Sequence, residues 1–284
     1  MENEKRRKLE RTAAQIRKET LQSIQTAGSG HIGGSFSIAE LLAVLYFDEM
    51  SIDPKNPKME NRDRFVLSKG HCAPAVYTTL ALKGYFPVED LATLRRPDSY
   101  LSGHIEMKHV PGVDMSAGSL GQGLSVAVGM ALSAKTYQKS YRTYCILGDG
   151  EIQEGQIWEA AMSAGHFKLD NLVAIVDNNS LQLDGTVEEI MSPYPIDKKF
   201  ESFHWNTIVI DGHDVGAIED ALKKAKNVTG MPTAIIAKTK KGRGSLVFEN
   251  QVRFHGGRPT DEEFITAFRE IDSQLKELEG ESNE

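Results

Sequence analysis

The sequence predicts an α/β fold, in which a largely parallel, twisted sheet carries helices on both of its faces. Two observations lead to this prediction. Short apolar segments at 144–147, 172–176, 207–210 and 233–237 have the length and composition of buried strands. Amphipathic segments of helical period at 151–165 and 215–226 alternate with them through short connections, which is typical of parallel sheets.

The N-terminal half adds fewer and less regular elements. Helix-forming residues with apolar positions at helical spacing predict a helix over 5–26, and Ser37 and Glu40, in capping-box order, predict the start of a second helix running to about 49. Residues 65–68 are expected to form a short strand, and the glycine-rich stretch 117–134 to open a closely packed helix. We expect one domain over 1–284, with a flexible tail from about 277 to 284.

Composition excludes several functional classes. The chain has 284 residues with 33 basic and 40 acidic side chains, a net charge of −7, which argues against nucleic-acid or acidic-membrane binding. Cys72 and Cys145 are far apart and lack zinc-site spacing. The charged N-terminus lacks a signal-peptide pattern and no apolar stretch is long enough to cross a bilayer, so we expect a cytoplasmic protein.

Polar residues follow two of the predicted strands, where ligands of parallel sheets bind. Asp149 stands in a glycine turn after the first of these strands, before a predicted helix whose N-terminus would attract phosphate. A bare carboxylate would repel a diphosphate there unless a divalent cation lay between them. Asn179, after the next strand, offers an amide oxygen. Carboxylate, amide and phosphate oxygens form a shell suited to Mg²⁺.

Other interpretations of these residues exist. Asp149 alone could be a helix N-cap, and Asn179 alone a turn former. A dinucleotide site is a sharper rival, because residues 28–33 match G-x-G-x-x-G. Residues 148–150 also follow a predicted strand, and Asp177 could then imitate the acid that binds a ribose, but the third glycine is misplaced and Asp149 would face a pyrophosphate with no cation. However, residues 28–33 follow a predicted helix instead of a strand, and no P-loop motif occurs. The metal-diphosphate interpretation therefore ranks above the dinucleotide one.

The pair formed by residues 148–150 and Asn179 resembles the G-D-G…N signature of thiamine-diphosphate enzymes. Further stretches are similar to transketolases in particular, and they occur in the family's order from residue 28 to 256. They are Gly28-Ser29-Gly30-His31, Leu67-Ser68-Lys69-Gly70-His71, Ser102-Gly103-His104-Ile105-Glu106, Gly118-Ser119-Leu120-Gly121-Gln122-Gly123, Asp211-Gly212-His213, Lys241-Gly242-Arg243-Gly244 and Phe254-His255-Gly256. The resemblance thus covers almost the whole chain and implies the diphosphate-binding (PP-type) domain of that fold.

The resemblance implies a role for each matching position. Asp149, the Asn179 side chain and the Leu181 carbonyl would bind Mg²⁺, for which Ca²⁺ or Mn²⁺ could substitute. His31, His104 and His255 would line the substrate funnel as catalytic residues. The remaining positions would bind or adjoin thiamine diphosphate: Lys69, His71, Gly118, Ser119, Leu120, Gly150, Glu154, Asn179, Lys241 and His255.

The histidines also support this interpretation on chemical grounds. His31, His71, His104 and His255 each stand beside a glycine in a predicted loop. A single loop histidine is usually a solvated surface group. Four beside a diphosphate site are harder to dismiss, since neutral imidazoles can both donate to and accept from sugar hydroxyls.

The resemblance also implies a partner. Transketolases are usually more than twice this long and carry a pyrimidine-binding and a C-terminal domain, whose motifs are missing here. We therefore expect an N-terminal subunit that is active only with a separately encoded C-terminal subunit, in an α₂β₂ assembly, and that transfers a two-carbon ketol unit between sugar phosphates. The alternatives are a subunit of a 2-oxo-acid dehydrogenase or deoxyxylulose-phosphate synthase, a non-catalytic cofactor-binding module, or a nicotinamide dehydrogenase.

Overall fold

A computed structural model describes residues 1–280, which form a five-stranded parallel sheet between layers of helices. The strands are β1 (Arg64–Leu67), β2 (Thr143–Gly148), β3 (Leu172–Asn178), β4 (Asn206–Asp211) and β5 (Thr233–Lys238), in the spatial order β1-β2-β3-β5-β4. Every neighbouring pair is parallel. The predicted fold class is confirmed.

Helices connect and cover the strands within residues 1–280. They are α1 (Asn3–Ala27), α2 (Ile32–Phe36), α3 (Ala39–Val44), α4 (Ala73–Lys83), α5 (Gly123–Thr136), α6 (Gly155–His166), α7 (Val187–Met191), α8 (Ile196–Ser202), α9 (Val215–Asn227) and α10 (Asp261–Gly280). A π-helical turn, Leu45–Glu49, extends α3. Shorter 3₁₀ turns lie at Gly70–Cys72, Val88–Thr93, Glu151–Gln153 and Val252–His255.

Alternate residues of β1, β2, β3 and β5 pack into separate apolar layers on the two faces of the sheet, as the period of a strand requires. Ile146 and Ile175 belong to the layer that includes α1, α3, α4, α9 and α10. Cys145 and Ala174 belong to the opposite layer, with α5, α6 and α8. Strands β2 and β3 are almost fully buried, which explains their uninterrupted apolar sequences.

The parallel arrangement brings distant loops together at one edge of the sheet. Leu67 pairs with Ile146, Gly148 with Asp177, and Asn178 with Lys238. The segments that follow β1, β2, β3 and β5 therefore leave the sheet side by side. These segments carry most of the residues that the sequence marks as functional.

Three local predictions need correction. Ser37 does not cap α3, because its hydroxyl is directed to the Gly34 carbonyl and to the Asp177 carboxylate, at 3.0 and 2.7 Å. The predicted helix 151–165 is interrupted: a 3₁₀ turn follows Gly150, and α6 begins only at Gly155. Residues 277–280 continue α10 instead of forming a loose tail, and 281–284 lie outside the described residues.

No helix within residues 1–280 combines the length and the apolar character that spanning a membrane requires.

Candidate active site

A cavity of about 260 Å³ lies at the carboxyl edge of the sheet, where the four loops meet. Its walls come from the segments after β1, β2, β3 and β5, together with the loop before α5 and the turn before α10. The sequence-predicted residues among its lining are Lys69, His71, Leu120, Asp149, Gly150, Glu154, Asn179, Leu181, Lys241 and His255. Residues assigned to one site from separate motifs therefore do share one cavity.

Asp149 lies at the floor of this cavity and is 1% exposed. Its carboxylate accepts hydrogen bonds from the Gly150 amide at 2.9 Å and from the Asn178 side chain at 3.0 Å. Burial and the nearby charge of Asp177 raise the pKa of Asp149 to about 6. A cation beside this carboxylate would favour its ionised form, so the site is electrostatically suited to a metal.

Asn179 and Leu181 add two neutral oxygens to the same wall. The Asn179 Oδ1 atom accepts from the Leu181 amide at 3.1 Å, and its Nδ2 donates to Asp177 at 2.9 Å, which fixes the side chain. The Leu181 carbonyl accepts from the Lys241 ammonium at 3.1 Å. Within residues 1–280, no three His, Cys, Asp or Glu side chains form a metal-binding group. A metal here would therefore depend on amide, carbonyl and phosphate oxygens.

Asp177 is a structural centre of the site that its sequence position does not reveal. It is fully buried and accepts hydrogen bonds from Lys69 at 2.6 Å, from Ser37 and from the Thr239 hydroxyl. Burial opposes the charge of Lys69, but the Asp177 carboxylate outweighs this and raises the lysine pKa. The Asp177 carboxylate is thus occupied by hydrogen bonds within the protein and is not available to bind a ribose. The dinucleotide interpretation depended on that role, so it loses its main support.

Lys241 provides a second ammonium group at the cavity wall. Besides the Leu181 carbonyl, it contacts the His255 Nδ1 atom at 2.8 Å. Burial, reinforced by the charge of Lys69, lowers the pKa of Lys241 to about 8. The ammonium groups of Lys69, which is paired with Asp177, and of Lys241 both border the cavity, and cationic groups of this kind attract an anionic ligand such as a diphosphate.

The four glycine-flanked histidines form a cluster next to this cavity. The ring of His31 lies 5.1 Å from that of His71 and 5.7 Å from those of His104 and His255, measured between centroids. Burial and nearby cations lower the pKa of His31 to about 4 and that of His255 to about 3. The pKa values of His71 and His104 are also lowered, chiefly by burial. The rings are therefore neutral near pH 7.

The remaining predicted residues lie at the exposed rim. Gly118, Ser119 and Leu120 are exposed, and a side-chain carbon at Gly118 would meet nothing within 4 Å. Glu154 is exposed and also lines the cavity. This rim is open to a further ligand or chain.

Glu151 is a buried anchor of the same region that the sequence motifs did not identify. Its carboxylate accepts from the Ser68 hydroxyl and from the amides of Gly121 and Gly148, both at 3.0 Å. It thereby connects the ends of β1 and β2 to the loop that carries residues 118–120. In the sequence, Glu151 is marked only by its position directly after the G-D-G motif. An acidic residue in such a turn is usually solvated, so its burial could not be predicted.

A comparison with known protein families identifies the family of this chain. Residues 9–272 match the family model described as transketolase, thiamine diphosphate binding domain. The chain belongs to the transketolase family. Its place is that of the N-terminal, diphosphate-binding part, as the sequence resemblance predicted.

Two kinds of transketolase relative are similar in sequence to this chain: subunits of about the same length and a much longer single-chain protein. The chain is 47% identical over 266 residues to a 6-deoxy-6-sulfo-D-fructose transketolase subunit from Clostridium sp. strain MSTE9, covering 94% of this chain and 97% of the relative. It is 42% identical over 275 residues to an apulose-4-phosphate transketolase subunit from Phocaeicola vulgatus, covering 97% and 98%. Against the transketolase of Mus musculus it is 45% identical over 262 residues, which are 90% of this chain but 40% of that one.

The solved transketolase from Campylobacter jejuni superposes with a TM-score of 0.89 at 32% identity, over 98% of this chain and 46% of that one. The chain thus spans less than half of the longer transketolases, but nearly all of the two relatives named as subunits.

Proposed function

We propose that this chain is the diphosphate-binding subunit of a two-chain transketolase. With a separately encoded C-terminal subunit it would transfer a two-carbon ketol unit reversibly from a ketose to an aldose. The observation that carries the proposal is the juxtaposition at one sheet edge of an oxygen-donor site, two ammonium groups and a cluster of neutral histidines. Each part suits a different portion of the cofactor and substrate.

The oxygen-donor site would hold a divalent cation. Asp149, the Asn179 side chain and the Leu181 carbonyl are its protein ligands in this proposal, and hard oxygen donors of this kind suit Mg²⁺. The raised pKa of the buried Asp149 supports the assignment, since an adjacent cation would relieve the cost of its charge. Lys69 and Lys241 would offset the remaining charge of a diphosphate.

When bound, thiamine diphosphate supplies the chemistry that cleaves and forms the carbon–carbon bond. The chain's own histidines would bind the sugar. Because burial keeps His31 and His255 neutral, each ring can donate one hydrogen bond and accept another, as neighbouring hydroxyls require. Among the described residues, the buried Nδ1 atom of His31 has no hydrogen-bond partner.

The partner subunit would complete the exposed rim. The chain corresponds to 46% of the solved Campylobacter transketolase and to 97% of a relative named as a subunit, which supports a division of the enzyme into two chains. Gly118, Ser119, Leu120 and Glu154, all exposed, would then face the cofactor ring and the partner. An α₂β₂ assembly is the expected arrangement.

The experiment is reconstitution. The purified chain is mixed with the C-terminal subunit, thiamine diphosphate and Mg²⁺, and two-carbon transfer between a ketose phosphate and an aldose phosphate is measured. We expect activity only in the mixture. Full transfer by this chain alone would refute the two-chain proposal, and turnover of pyruvate in place of a ketose would refute the assigned reaction.

A further inference from the structure

Two consecutive lysines after β5 have opposite environments. Lys240 is exposed, whereas Lys241 is 2% exposed and places its ammonium group in the cofactor cavity. A shift of the backbone by one residue would exchange the two side chains. Both side chains carry the same charge on the same flexible stem, so their chemistry does not determine which of them occupies the cofactor cavity. The position of the backbone must determine it, through contacts with other parts of the chain.

Three hydrogen bonds to more distant parts of the chain hold the backbone of residues 240–242. The Lys240 amide donates to the Nε2 atom of His213 at 2.8 Å. The Gly242 amide donates to the Gly33 carbonyl at 2.9 Å, and the Lys241 carbonyl accepts from Asn250 at 2.9 Å. Of these three bonds, only the one to His213 is accepted by a side chain. It holds Lys240, the lysine that remains outside the cavity.

The hydrogen bond from Lys240 requires one tautomer of His213. The Nδ1 atom of His213 lies 3.0 Å from the Glu40 carboxylate, which is itself held by Arg17 at 2.6 Å. Burial opposes the charge of Glu40, but Arg17 and His213 outweigh it and lower the glutamate pKa to about 2. A carboxylate only accepts, so the imidazole proton lies on Nδ1, and Nε2 keeps the lone pair that the Lys240 amide needs.

The Asp211-Gly212-His213 turn is built for this contact. The Asp211 carboxylate accepts from the His213 amide at 2.9 Å, and the Gly212 amide donates to the Lys238 carbonyl at 2.8 Å. A side-chain carbon at Gly212 would come within 2.4 Å of Thr239, so only glycine allows the turn to approach the segment after β5 this closely.

We propose that His213 is a positioning residue that selects Lys241, and not Lys240, as the lysine of the diphosphate pocket. The selection acts through Glu40 and Arg17, which fix the histidine tautomer. This inference rests on the proposed function, because its consequence is the affinity for the cofactor. It assigns a role to a conspicuous turn that lies outside the cofactor cavity.

The test compares His213→Gln with His213→Asn in the full chain by calorimetric titration with thiamine diphosphate and Mg²⁺. The longer glutamine amide can place an oxygen near the position of Nε2, whereas the asparagine amide reaches only the position of Nδ1. We expect affinity close to wild type for His213→Gln and a loss of about tenfold for His213→Asn. Equal affinities of all three proteins, or equal losses in both variants, would overturn the role of His213.

A second measurement does not depend on folding of the variants. Nitrogen-15 NMR of the wild-type chain labelled at histidine should show a neutral His213 with its proton on Nδ1. A proton on Nε2 would overturn the inference. If the chain mixed with its C-terminal subunit bound no thiamine diphosphate in the presence of Mg²⁺, the proposed function would fail, while the NMR result would still decide the tautomer of His213.

Discussion

Lys69 and Asp177 form a fully buried ion pair, 2.6 Å between Nζ and Oδ2, that joins the end of β1 to the end of β3. Lys69 also donates to the Gly34 carbonyl at 2.9 Å, so the pair connects the sheet to α2. It lies directly behind the proposed metal and diphosphate site. The pair therefore has both a structural and an electrostatic consequence.

Replacing Lys69 by methionine should destabilise the chain by about 3–5 kcal/mol, because it leaves the Asp177 charge buried without its cation. Adding Asp177→Asn should recover part of this loss. The free energy of unfolding is measured by urea denaturation. Lys18→Met is the matched control: its partner is Asp272, both side chains are substantially exposed, and we expect less than about 1 kcal/mol. A similar cost for both lysines would contradict the special role of the buried pair.

Replacing Asp149 by asparagine should lower the affinity for thiamine diphosphate with Mg²⁺ by at least about 100-fold, since it removes the one carboxylate ligand of the proposed metal site. Calorimetric titration gives the affinity. The control is Asp184→Asn, which makes the same charge change at an exposed position of the loop after β3. Unchanged affinity in Asp149→Asn, with normal binding by the control, would refute the metal assignment.

The regular part of the fold could be predicted from the sequence because buried parallel strands have distinctive composition. The segments 144–147, 172–176, 207–210 and 233–237 all lie within observed strands. The site could be predicted as a set of loops, because the carboxyl ends of parallel strands meet. The assignment of particular residues to one cavity depended largely on the family resemblance.

The contacts behind the site could not be predicted. The sequence around Ser37 matches a capping box, but its hydroxyl donates a hydrogen bond to the buried Asp177, 140 residues away. Nothing local marks Asp177 or Glu151 as buried, since their burial depends on partners that only the tertiary fold brings near. The same holds for Lys240 and Lys241, which adjoin in sequence although only Lys241 is buried at the cavity wall.

Replacing His104 by alanine should raise the KM for the ketose about tenfold in the reconstituted enzyme and leave the affinity for thiamine diphosphate unchanged. His104 lies at the outer side of the histidine cluster, 5.7 Å from His31, and is absent from the lining of the cofactor cavity. Steady-state kinetics and calorimetry measure the two quantities. His109→Ala, at an exposed position in the same loop, is the control. A lowered cofactor affinity in His104→Ala would place this residue in the cofactor site instead.

The stability of the free chain should fall as the pH is lowered from about 6.5 toward 4. Burial lowers the pKa of His31 to about 4 and that of His255 to about 3, so both stay neutral in the folded state, while the unfolded chain binds protons below about 6.5. The unfolded state then carries more protons, and acid favours it. Thermal melts at pH 7 and pH 5 measure the effect. His255→Asn should reduce the drop in Tm between these pH values, and His204→Asn, at an exposed position, is the control. An equal drop in the wild type and in His255→Asn would show that the buried ring does not contribute to the acid sensitivity.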